Sequence, residues 1–223
     1  EVLEAPGMIN SWVTFRKTLK MVVDFVKSEH PDQLLNLWAN SYGAKVVTAY
    51  LLKYNKPAIN STIFTTPGLF RNAKTLPLPY SRSQVFLADE TDIFPSPIYE
   101  TDGDNAASLF TSQSVWFDKI QNDRLSLRNL YKNFLLETKN MDRYIQKAST
   151  KNSNKLNERK RFYLIVENDI MMDNKQMLDH IQLNKRGSKL KTYSGGEDHK
   201  HFLAYTDDAE LVLKDIVSFI LGK

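Results

Sequence analysis

Between residues 11 and 29, Trp12, Phe15, Leu19, Val22, Val23 and Val26 recur at three- and four-residue intervals, with Lys17, Lys20, Asp24 and Lys27 opposite them. That period predicts an amphipathic helix, because 3.6 residues per turn gather those positions on one face. Ser11 stands where an N-cap belongs, and Pro31 stops the run. The next apolar run, residues 34–39, is short, as expected of a buried strand. It leads through Asn40-Ser41-Tyr42-Gly43-Ala44 into a second helical face of Val46, Val47, Tyr50, Leu51 and Tyr54. Residues 59–65 are rich in β-branched side chains and stop at Pro67-Gly68, which predicts a strand closed by a turn. Helix, strand, helix, strand is the alternation of a parallel sheet covered on both faces.

The middle of the chain breaks that rhythm. Residues 71–108 are rich in Pro, Asp, Ser and Thr, and only 84–87 read as an extended piece. A long helix is expected over 125–145, with Leu127, Leu130, Tyr131, Phe134, Met141 and Ile145 along one side. Residues 147–160 are polar and read as a loop or linker. The alternation then resumes with a strand at 162–166, a helix at 174–183, a strand at 190–193 and a closing helix at 209–221. No internal repeat is present. The pattern divides the chain into a first core part (1–70), a largely helical insertion (71–155) and a second core part (156–223).

Composition narrows the function. At 223 residues, 42% hydrophobic and 25% charged, the chain suits one globular core with an insertion. Mean hydropathy is −0.42, and no apolar run approaches the ~18 residues that cross a bilayer. With no cysteine, disulfide scaffolds, thiolate metal sites and cysteine nucleophiles are all excluded. Four histidines, His30, His180, His199 and His201, leave little for a multi-histidine metal centre. No metal and no cofactor is expected.

Charge is uneven. Residues 139–161 hold Lys139, Arg143, Lys147, Lys151, Lys155, Arg159, Lys160 and Arg161 against Asp142 and Glu158. Residues 88–105 carry Asp89, Glu90, Asp92, Glu100, Asp102 and Asp104 and no cation. The basic run reads as a solvated helix end or as a patch for anionic lipid headgroups. No nucleic-acid partner is expected, since no recognition motif accompanies it.

The chemistry begins at Ala39-Asn40-Ser41-Tyr42-Gly43. A serine between a strand and a helix, with small residues two before and two after, has the layout of a nucleophile elbow. The helix that starts there aims its first N–H groups at a developing oxyanion. Glu167, Asp169 and Asp173 follow the strand at 162–166, and His199 and His201 follow the last strand. Serine, then acid, then histidine, each at the end of a predicted strand, is the order of the α/β-hydrolases. Asp173 reads as an N-cap, whereas spacing from Gly196 favours His199 and spacing to the closing helix favours His201.

With these motifs the chain resembles the serine α/β-hydrolases of the lysophospholipase and monoacylglycerol-lipase type, the group that includes serine aminopeptidases. The similarity extends over Asn40-Ser41-Tyr42-Gly43-Ala44, Thr66-Pro67-Gly68, Leu109-Phe110-Thr111, residues 122–128, residues 169–174 and His201-Phe202-Leu203. It implies an α/β-hydrolase fold, a mostly parallel sheet flanked by helices, with the insertion as a cap. It implies Ser41 as nucleophile, Asp169 as acid and His201 as base, with His199 as the alternative base and the Tyr42 N–H as one oxyanion donor. The implied substrate is a small-molecule or lipid ester of lysophospholipid or monoacylglycerol type. The rivals are a non-catalytic α/β-hydrolase-like binding protein and a peptidase of the same superfamily.

Asn40 stands where such hydrolases carry histidine. They also have several strands before a helix like 11–29, and a loop among those strands supplies the second oxyanion N–H. A preceding segment or a second chain is therefore expected to complete the unit, because strands at 34–38 and 59–64 would otherwise be open edges. The expected setting is cytoplasmic, peripheral to the inner face of a membrane, with export left open because the chain opens on Glu1.

Overall fold

The computed structural model describes residues 9–54, 58–98, 103–123, 126–151, 153–195 and 199–223. Helix α1 (Trp12–Glu29) starts behind Ser11, whose side chain accepts from the Val13 N–H. Its buried stripe is rotated from the expected one. Val23 is buried, Val22 is 52% exposed, and Arg16 is buried instead. Positions 12, 16, 19 and 23 share one face, and the rings of Trp12, Tyr144 and Tyr54 lie 5.0, 5.7 and 5.9 Å from the Arg16 guanidinium carbon.

Strand β1 (Asn36–Asn40) leads into α2 (Gly43–Lys53), and β2 (Ser61–Thr65) follows. The chain then leaves this sheet for α3 (Arg82–Leu87), β3 (Ile93–Pro95), a 3-10 turn (Gly103–Leu109), α4 (Ser114–Gln121) and β4 (Asn129–Tyr131). It returns along α5 (Lys132–Lys151) and α6 (Ser153–Asn157) to β5 (Lys160–Val166), α7 (Asn174–Leu183), β6 (Ser188–Tyr193) and α8 (Ala209–Leu221). Strands β1, β2, β5 and β6 form one parallel sheet in that order. β3 and β4 pair antiparallel outside it. Of the two strands expected as open edges, β2 is internal and buried at every position; among the described residues β1 has one neighbour, β2.

Side chains alternate across β5. Phe162, Leu164 and Val166 pack with Val212 and Ile216 of α8, while Tyr163 and Ile165 pack with Val47, Leu51, Met141 and Met177 on the other face. The register sets Asn40 beside Thr65 and Thr65 beside Leu164, so β1, β2 and β5 deliver their following loops to one edge.

Three local expectations are corrected in the insertion. Residues 84–87 are helical, because Ser81 and Gln84 form a reciprocal capping box that starts α3. The long helix begins at Lys132, since residues 129–131 are taken up in pairing with β3. Most of 147–160 is helical as well, because Ala148, Ser149 and Leu156 are buried and their polar neighbours form the outer face.

The basic run is also divided. Arg161 is fully buried: its guanidinium donates to the Asn184 and Arg186 carbonyls and to the Tyr163 hydroxyl. Lys160 and Arg161 open β5, at the end of the sheet opposite the loop that carries Asp169, so they lie away from the site described below. Among the described residues no helix is long and apolar enough to cross a membrane.

Burial, and then the nearby Arg161 charge, push the His180 imidazole down to about 4. Among the described residues its Nε2 has no hydrogen-bond partner. Unfolded, His180 binds a proton below about pH 6.5; folded, it resists down to about 4. Its contribution is therefore complete above pH 6.5 and is lost as pH falls towards 4. Urea denaturation of the wild type and of His180→Phe at pH 7 and 4.5 checks this. The wild type is expected to lose on the order of 2 kcal/mol more than the variant. Equal losses would count against a neutral buried imidazole.

Candidate active site

Ser41 sits between β1 and α2 with φ of +46°, a left-handed conformation that costs a serine about 1–2 kcal/mol. Two backbone bonds hold it there: its N–H donates to Thr65 O at 3.1 Å, and its carbonyl accepts from the Gly68 N–H at 2.8 Å. Thr66, at the end of β2, is left-handed too, at +41°. Asn40 bridges the two strand ends. Its Oδ1 accepts from Thr65 Oγ1 at 2.9 Å and from Thr66 Oγ1 at 3.3 Å, and the Trp38 indole N–H donates to Thr65 Oγ1 at 3.0 Å.

From this turn the Ser41 Oγ reaches His201 Nε2 at 2.8 Å. His201 Nδ1 lies 2.7 Å from Asp169 Oδ2. A carboxylate only accepts, so Nδ1 carries the proton and Nε2 faces the serine as acceptor. The other oxygen, Asp169 Oδ1, accepts from the Met171 and Met172 N–H groups at 2.8 and 3.2 Å, which fixes the carboxylate plane. Asp169 and His201 are both buried. A buried imidazole in this row can take the serine proton while the carboxylate steadies the resulting cation.

The competing residues lie elsewhere. His199 is left-handed, at +53°, and its Nδ1 meets the Ser194 carbonyl at 3.0 Å. Asp173 caps α7 through the Gln176 N–H at 3.0 Å, and hydrogen bonds from the Gln176 backbone and side chain hold its carboxyl below the usual range. Glu167 is exposed. Gly196, Glu197 and Asp198 of the histidine loop, Arg124 and Leu125 of the insertion motif, and Glu100 and Asp102 of the acidic stretch lie outside the described residues.

The histidine loop is braced from two sides. The Gly195 N–H donates to Asp208 Oδ2 at 2.8 Å. On the other side the His201 and Phe202 N–H groups donate to the Leu109 and Phe110 carbonyls, each at 3.1 Å, and Thr111 Oγ1 donates to the Tyr205 carbonyl at 2.6 Å. Phe110 and Phe202 stack with centroids 4.4 Å apart. Leu109-Phe110-Thr111 thus places the histidine. Leu109 and Phe110 join an apolar cluster with Leu76, Met171, Met172 and Ile98 beside the acid and histidine loops. A cavity of about 150 Å³ opens next to Asn40 and Phe202, lined also by Trp38, Thr65, Ala204 and Tyr205. Among the described residues no three His, Cys, Asp or Glu side chains converge as a metal site.

Gly68, whose place in the sequence predicts a turn, is also part of the elbow. A Cβ on Gly68 would stand 2.8 Å from the Ser41 carbonyl carbon and 2.9 Å from Tyr42 N. By contrast, a Cβ on Gly43, the glycine of the motif, would meet Ala39 Cβ at an ordinary 4.0 Å.

No family model and no curated protein matches the chain. Among solved structures, it is similar to a monoacylglycerol lipase of Paleococcus ferrophilus, with 12% identity and a TM-score of 0.72 over 96% of this chain and 76% of that one. A soluble variant of the Saccharomyces cerevisiae monoglyceride lipase superposes at 0.71 with 15% identity, over 97% of this chain and 71% of the other. A thermostable carboxyl esterase of Bacillus coagulans gives 0.70 and 16%, over 96% and 73%. At such identities the likeness is one of fold, and together with the parallel sheet and its flanking helices it makes this chain an α/β-hydrolase fold.

Proposed function

We propose that the chain is a serine hydrolase that cleaves carboxylic esters, of monoacylglycerol or lysophospholipid type. The observation that carries this reading is the unbroken row from Ser41 through His201 to Asp169. Ser41 Oγ attacks the ester carbonyl as His201 Nε2 takes its proton, and Asp169 keeps the imidazole in the required tautomer. His201 then returns the proton to the departing alcohol, and water releases the acyl group by the same steps in reverse. The Tyr42 N–H, the first amide after the nucleophile, donates to the oxyanion. The apolar cluster of Leu76, Phe110, Met171 and Met172 beside the row supports an acyl chain, as do the lipases among the similar structures.

A fluorophosphonate probe tests the reading. The expected result is one label, located on Ser41 by peptide mass, together with release of fatty acid from a monoacylglycerol. Folded protein that takes no label would favour the binding-protein alternative. Labelling with turnover of peptides alone would favour a peptidase.

A further inference from the structure

Tyr42 is attached at both ends. Its backbone leaves the nucleophile at the start of α2, and its side chain crosses to α5. The phenol oxygen lies 3.0 Å from Thr138 Oγ1, and the ring stacks on Phe134 at 5.7 Å with 25° between planes. One turn further along α2, Lys45 Nζ pairs with Asp142 at 2.7 Å, on a side chain only 9% exposed. Thr138 and Asp142 are themselves one turn apart on α5, so the contacts form two successive rungs between the helices. Burial pushes the Tyr42 phenol up to about 12, so the hydroxyl stays intact at any working pH.

Helix α5 belongs to both halves of the molecule. It follows directly on β4, whose partner β3 lies in the insertion, and Lys132 in its first turn donates to the Ala88 carbonyl. Later, Met141 and Ile145 are buried in the core against the sheet. A helix of 20 residues is stiff, so the place of the insertion and the place of Thr138 are set together.

We propose that Tyr42 and Thr138 are a positioning pair, through which α5 sets the aim of the Tyr42 N–H at the developing oxyanion. The proposal rests on the serine hydrolase reading and deepens it. An oxyanion donor stabilises only at about 2.7–3.1 Å and in line, and its effect falls quickly when it is displaced. On the Ser41 side the elbow is pinned by Thr65 and Gly68. On the Tyr42 side the rungs to α5 do the corresponding work.

The test uses the full chain and a short soluble ester. Thr138→Val keeps the side-chain shape and removes the hydroxyl. It is expected to lower kcat about tenfold with KM unchanged, and Thr138→Ser is expected to restore it. Tyr42→Phe should match Thr138→Val, and the double variant should be no worse than either single, because each removes the same bond. Binding of an alkyl trifluoromethyl ketone, which forms a hemiketal oxyanion on the serine, should weaken by the same factor. Turnover within twofold of wild type in both singles, or losses that multiply in the double, would overturn the pairing. A lower thermal midpoint with unchanged kcat would equally overturn it, as the mark of a contact that only holds the fold. A wild-type chain that neither labels at Ser41 nor cleaves the ester would remove the hydrolase reading instead, and this inference with it.

Discussion

Ser41→Ala and His201→Ala are each expected to lower ester turnover by roughly 10⁴ to 10⁶, with the double variant falling no further. In the proposed mechanism Ser41 Oγ and His201 Nε2, 2.8 Å apart, act as one unit: without the base the hydroxyl is a poor nucleophile, and without the hydroxyl the base has nothing to activate. His199→Ala is expected to stay within about twofold of wild type, because its ring is engaged with the Ser194 carbonyl. Initial rates on a chromogenic short-chain ester are enough. If His199→Ala proved the more damaging of the two histidine variants, the assignment of the base would be wrong.

Gly68→Ala is expected to reduce turnover on the order of a hundredfold and to cost about 1–3 kcal/mol of folding stability. The added methyl would press on the Ser41 carbonyl and on Tyr42 N, which are backbone atoms with no rotamer to escape into. The clash falls on the peptide unit that carries the Tyr42 N–H, the proposed oxyanion donor, so kcat should suffer beyond the loss of stability. Gly43→Ala is the control, because its Cβ would meet Ala39 Cβ at an ordinary 4.0 Å, and a change of no more than a few-fold is expected. Turnover and urea denaturation of the two variants decide the matter. A larger loss at Gly43 would mean that the motif glycine, and not the neighbouring loop, limits the elbow.

The parts of the structure visible in the sequence are those set by local rules. The bounds of α7 and α8 agree with the pattern, and Asp173 and Ser11 cap as their positions suggest. Ser41, Asp169 and His201, expected in that order at strand ends, come together because a parallel sheet presents its strand ends along one edge. The extra length of α5 and α6 was hidden by polar residues covering a narrow buried stripe at Ala148 and Leu156. Strands β3 and β4 have three residues each, too few for a period of two to register. The start of α3 was legible in principle, since Ser81 and Gln84 have capping-box spacing. Burial of Arg161 was not, because the carbonyls that satisfy it come from Asn184 and Arg186 across a loop. The close fit of Gly68 against Ser41 is likewise a meeting of two strands' loops, and no local pattern records it.

The backbone bonds from His201 and Phe202 to Leu109 and Phe110 bear on how this fold can be recombined. If residues 71–155 were an independent module, they could be exchanged for the corresponding insertion of another α/β-hydrolase fold without disturbing the rest. Here the exchange would remove the acceptors of two amides in the loop that holds the histidine. Each orphaned amide costs about 1–3 kcal/mol if it stays buried, and the loop would shift to find water instead. A workable chimera must therefore bring a turn that offers two successive carbonyls in the places of those of Leu109 and Phe110. Under the proposed function, selectivity would drift more readily by single substitutions at Leu76, Ile98 or Ile120, whose side chains pack in the apolar cluster without supplying those acceptors.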